Sequence, residues 1–173
     1  MQVTYKNNTY PLGKKDRFIE GEAPAIRMNM INNETKVIGL MAPAVQVMIS
    51  LNDISKYSSK INKIINSTKR KVYAYIVTCS QMEQIEDAVE KFAIDKSFIS
   101  NEFKDFSIKF GVNIDDTMIA NSIFIIDKEG LIKYKEIPSD LDDDFNIEQF
   151  DLSLNEVVNF KAKGHSHENW MGV

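Results

Sequence analysis

The chain is poor in the residues that build disulfide, redox or metal chemistry: its 173 residues include one cysteine, Cys79, and two histidines, His165 and His167. A single thiol cannot close a bridge within the chain, which excludes a disulfide-stapled scaffold. Arginine is absent after Arg70. Long apolar runs are also missing. The longest, Val37 to Leu51, is broken by Gly39, Pro43, Gln46 and Ser50, so it reads as a turn and a buried strand rather than a membrane span. The polar amino terminus does not resemble a signal peptide, which points to the cytoplasm and away from membranes. Basic excess is lacking too: a net charge of −4, with no Gly-rich or basic-aromatic motif, argues against a nucleic-acid partner. What remains, 43% hydrophobic and 27% charged residues, suits one ordinary core and predicts a single domain.

Val3-Thr4-Tyr5-Lys6 and Thr9-Tyr10-Pro11-Leu12 flank Asn7-Asn8 and predict a short hairpin. Val45 to Ile54 reads as a buried strand running into a helix, on which Ile54, Tyr57, Ile61, Ile64 and Ile65 recur at helical spacing, with Lys56, Lys60 and Lys63 on another face. Lys69-Arg70-Lys71 breaks that pattern before Val72 to Thr78, a β-rich run suited to a strand covered on both faces. Ser80-Gln81-Met82-Glu83 has capping-box form and predicts a helix through about Phe92. Phe98 to Ser100 reads as a short strand, and Phe103 to Phe110 as a short helix ended by Gly111. Ser122 to Asp127, Lys128-Glu129-Gly130 and Leu131 to Tyr134 form the clearest hairpin. The acidic loop Asp140 to Asp144 then leads to a last helix around Ile147 to Phe160.

In this order of elements the chain resembles the thiol peroxidases, the atypical two-cysteine branch of the peroxiredoxins. Gly21-Glu22-Ala23-Pro24-Ala25-Ile26 is similar to the Gly-Asp-x-Ala-Pro-x-Phe segment that peroxiredoxins carry before their first core strand. The Ser122-to-Tyr134 hairpin resembles their Val-Phe-x-x-Asp-x-x-Gly-x-x-x-Tyr stretch. The resemblance spans residues 3 to 160. It implies an α/β, thioredoxin-like (peroxiredoxin-type) fold, a mixed central sheet flanked by helices with an amino-terminal β-hairpin, in one domain over 1–160 followed by a tail over 161–173. It also implies a homodimer paired around the active-site turn, and no bound cofactor.

In that family the strand-to-helix turn carries Pro-Ser-x-Asp-Thr-x-x-Cys, whose thiolate attacks peroxide with help from a helix amino terminus and an arginine. If the proline falls on Ile49, the threonine falls on Asp53 and the cysteine on Lys56. Shifted by one, these become Ser50, Ile54 and Tyr57. The arginine falls near Asn121, in Ile119-Ala120-Asn121-Ser122, and the resolving cysteine near Ala88 or Val89. Nucleophile, activator and resolver are all replaced, and neither lysine nor tyrosine forms a sulfenic acid. The resemblance therefore predicts a scaffold without peroxide chemistry, serving as a binding or regulatory module with a possible protein partner.

Cys79 carries the rival reading, a relocated thiol activity or redox sensor. As a strand-end thiol it would pack among Tyr75, Val77 or Ile85 with a raised pKa. Just before a helix start it would instead have its thiolate favoured, on the same sheet edge as Lys56 and Tyr57. The lysines of the first helix read as a solvated face or an anion contact, and the aspartates of the acidic loop as solvated rather than calcium-binding. His165 and His167 are metal candidates on a terminal segment that otherwise reads as a mobile tail, where Trp170 and Met171 could dock on the protein itself or on a partner.

Overall fold

The computed structural model describes residues 1–13, 15–67 and 72–160. Its centre is a mixed sheet built on β5 (Val45–Leu51), a strand buried at every residue. Beside it run β6 (Val72–Thr78) and β7 (Ile99–Ser100), both parallel to β5, and on the other side β8 (Ser122–Ile126) and β9 (Ile132–Glu136), antiparallel in turn. The spatial order is β7-β6-β5-β8-β9. This is the expected mixed sheet, and the parallel half explains why β5 and β6 read as continuous apolar runs rather than alternating ones.

The two faces of β5 feed two cores. Val45, Val47, Ile49 and Leu51 point into one with Ile61 and Ile64 of α1 (Ser59–Ser67), Ile85 and Ala88 of α2 (Met82–Phe92), and Phe150 and Leu154 of α4 (Ile147–Asn159). Met48 points into the other, with Phe106 of α3 (Lys104–Lys109), Phe110, Phe124 and Ile26. Each such aliphatic side chain contributes about 1.5–3 kcal/mol by leaving water. Gln46, which interrupts the apolar run, is buried without penalty: its side chain accepts the Gly39 N–H and donates to the Gly39 carbonyl, both at 3.0 Å. No described helix is long and apolar enough to cross a membrane.

The amino-terminal hairpin pairs β1 (Gln2–Tyr5) with β2 (Asn8–Pro11). Lys6 and Asn7 turn it at φ 48° and 66°, which places the turn one residue earlier than the Asn-Asn pair suggested. A second hairpin, β3 (Ile26–Asn29) with β4 (Thr35–Ile38), was not expected from the sequence. Its signal was the alternation of Ile26 and Met28, buried, with Arg27 and Asn29, exposed.

Two helix boundaries differ from expectation. The helical periodicity from Ile54 is split into a 3₁₀ turn over Ile54–Lys56 and α1 from Ser59, with extended backbone at Tyr57 between them. Tyr57 still lands on the buried side because three residues of 3₁₀ turn keep it in phase with Ile54. The cap of α2 is Gln81 rather than Ser80: the Gln81 N–H donates to Gln84 Oε1 at 3.2 Å. Lys96–Phe98 forms a second 3₁₀ turn, so the short strand begins at Ile99 rather than Phe98. Lys69, Arg70, Lys71 and the segment from Lys161, with His165, His167, Trp170 and Met171, lie outside the described residues.

Candidate functional site

The carboxyl ends of β5 and β6 and the approach to β8 meet at one edge of the sheet, and every site residue expected within the described chain lies at or near it. Ser50 does not belong to a turn. It is a fully buried residue of β5 whose hydroxyl donates to the Ala120 carbonyl at 2.8 Å and accepts from the Ser122 hydroxyl. Asp53 begins the turn and caps the 3₁₀ segment by accepting the Ser55 N–H at 2.9 Å. Lys56 swings outward to the acidic loop, donating to the Asp142 carbonyl at 2.7 Å with the Asp144 carboxylate 3.7 Å away. The first-helix lysines are therefore not uniformly solvated.

Tyr57 turns inward. It is 4% exposed, its ring stands edge-on to Phe92 of α2 with centroids 5.1 Å apart, and its hydroxyl donates to Asn62 Oδ1 at 2.9 Å. Burial pushes its phenol up to about 12. Tyr57 and Ala88 line the same groove of about 370 Å³ between the 3₁₀ turn and α2.

Asn121 is buried, with both ends of its side-chain amide bonded. Its side-chain carbonyl accepts the Asn52 N–H at 2.8 Å, and its amide donates to the Leu141 carbonyl at 3.1 Å. Where the resemblance places a cation, this structure has a neutral clamp that ties the turn after β5 to the acidic loop. A fixed amide offers no positive charge to favour a thiolate.

Cys79 lies one residue past β6, half-buried, on the rim of a shallow depression of about 280 Å³ that Asn52, Asp53, Thr117 and Met118 also line. Where the sequence suggested an apolar set of Tyr75, Val77 or Ile85, the sulfur is bonded by polar atoms: the thiol donates to the Asn52 carbonyl at 3.0 Å and approaches Asn52 Oδ1 at 3.2 Å. Asn52 Oδ1 in turn accepts the Ile119 N–H. Burial raises the Cys79 pKa, the carboxylates of Asp53 and Asp115 raise it further, and the Ile119 and Cys79 backbone amides act the other way. Ser80 separates the thiol from the start of α2 and is used elsewhere, accepting the Ile54 N–H at 2.9 Å. Sequence reasoning missed Asn52, which joins Asn121, Cys79 and Ile119. Its signal was only a polar residue following a buried strand. Among the described residues no three His, Cys, Asp or Glu side chains are grouped to hold a metal ion.

A peroxiredoxin-like protein from Aquifex aeolicus superposes on the chain with a TM-score of 0.79 at 22% identity, over 91% of this chain and 97% of that one. The chain has the thioredoxin-like fold of the peroxiredoxins. A thiol peroxidase from Chromobacterium violaceum matches at TM-score 0.73 and 13% identity, covering 90% and 96% of the two chains. The reduced 2-Cys peroxiredoxin of Plasmodium vivax matches at 0.61 and 13%, covering 88% and 84%. The sequence itself matches no family model and no curated protein. At these identities the peroxiredoxin fold is shared without its chemistry being implied.

Proposed function

We propose that this chain is a thiol-peroxidase-like protein that has lost peroxide chemistry and acts as a non-enzymatic binding or regulatory module. The observation that supports it most is Tyr57: a buried phenol, packed on Phe92 and bonded to Asn62, lines a groove that Ala88 also lines. A neutral phenol at that position has no route to a sulfenic acid. Asn121, engaged with Asn52 and Leu141, leaves no cation there to activate a nucleophile. In this reading the protein is a cytoplasmic homodimer that pairs around the turn after β5. The test is peroxide consumption with a thiol reductant. Turnover should not exceed that of free thiol at equal concentration, for wild type and Cys79→Ser alike.

A second reading rests on the position of Cys79, half-buried on the rim of a depression at the same sheet edge. It makes the chain a divergent thiol-dependent peroxidase or a one-cysteine redox sensor. The two readings part in the same assay: turnover clearly above background that disappears in Cys79→Ser selects the second.

A further inference from the structure

β9 is an outer strand of the sheet, and the chain between β2 and β3 lies along it. The segment starts where the Lys15 carbonyl passes so near Gly111, at φ +71°, that a Cβ there would sit 1.6 Å from it. From there its main chain meets β9 at Ile132, with the Glu20 N–H donating to the Ile132 carbonyl at 2.7 Å and the Ile132 N–H to the Gly21 carbonyl at 2.9 Å, and it ends where Glu22 bridges Leu131 and the Ala23 N–H donates to the Gly130 carbonyl at 2.8 Å. Residues 16–20 are held by charge as well. Lys133 bonds both oxygens of Glu20, at 2.7 and 2.8 Å, and also faces Asp127 at 3.8 Å. Lys135 bonds the Asp16 carboxylate and, at 2.9 Å, the Arg17 carbonyl. Arg17 donates from Nε to the Lys109 carbonyl at 2.6 Å.

The apolar residues of this segment add no anchor: Phe18 is 69% and Ile19 51% exposed. Glu20 is held at φ 70°, a conformation that disfavours a side chain bearing a Cβ. Segments with few apolar contacts and exposed polar ties open at lower free energy than the core. Exposed ion pairs are also the contacts most weakened by salt.

We propose that residues 15–22 form an electrostatically held strap on the outer edge of β9, which opens as a unit of its own, ahead of the sheet, when its ion pairs to Lys133 and Lys135 are screened. Opening leaves the Ile132 N–H and carbonyl unpaired at a sheet edge.

Amide hydrogen exchange at neutral pH, with and without added sodium chloride, tests this on the full chain. Salt should speed exchange in residues 15–22 and at Ile132 by about fivefold, the scale two exposed pairs carry, while amides of Val45 to Leu51 keep their rates. The double variant Asp16→Asn, Glu20→Gln should exchange at low salt as wild type does at high salt, and lose the salt response. Strap rates indifferent to salt and to the double variant would overturn the proposal. So would strap and β5 amides speeding up together, because the strap would then not be a separate unit.

Discussion

Tyr57 and Cys79 follow neighbouring parallel strands at the same edge of the sheet, yet their surroundings have opposite character. Tyr57 is sealed between Phe92 and Asn62 and contributes to packing. Cys79 is half open and held by the polar atoms of Asn52. For both groups burial favours the neutral form. The difference teaches that a shared sheet edge does not by itself create a reactive site: the inward position is core, and the outward one holds a thiol whose burial and nearby carboxylates, Asp53 and Asp115, favour the neutral form.

The largest effect expected from breaking this contrast is at Tyr57. Tyr57→Ala removes a buried ring and should cost about 3–5 kcal/mol in urea unfolding, whereas Cys79→Ser should change stability by less than about 1 kcal/mol. Equal losses at the two positions would erase the distinction between core and rim. Next is Asn121→Ala, which strands the Asn52 N–H and the Leu141 carbonyl; it should cost about 1–3 kcal/mol. A loss within error would mean that water replaces the clamp.

A subtler contrast is read by pH. The Tyr57 phenol is raised from 10.0 to about 12, so the unfolded chain ionises first. The stabilisation from keeping this phenol neutral is complete below pH 10 and is lost as pH rises through about 12. An absorbance titration of wild type minus Tyr57→Phe should show a phenolate midpoint near 12; a midpoint at 10 would place the hydroxyl in water. The smallest effect concerns Cys79, whose pKa is raised mainly by burial. Native iodoacetamide labelling should be slow, with a rate midpoint above that of a free thiol. A midpoint well below it would remove the contrast and favour the redox sensor.

Much of this protein was legible in order along the chain. The apolar runs of β5 and β6, the β8 and β9 hairpin with its glycine turn, and the Ile147–Asn159 helix are local patterns, set by periodicity and turn chemistry within a few residues. Composition also determined that neither Lys56 nor Tyr57 is a thiol and that no arginine stands at Asn121. What only the tertiary structure decided is direction and partnership. A one-residue ambiguity along the chain became two opposite environments, Lys56 out to the acidic loop and Tyr57 in to α2, because the 3₁₀ turn fixes which face each side chain takes. Ser50 sits in the sheet, Asn52 joins Asn121 to Cys79, and residues 15–22 lie on β9 through contacts between segments distant in sequence. Such pairings depend on how the chain closes on itself, so no window of neighbouring residues encodes them.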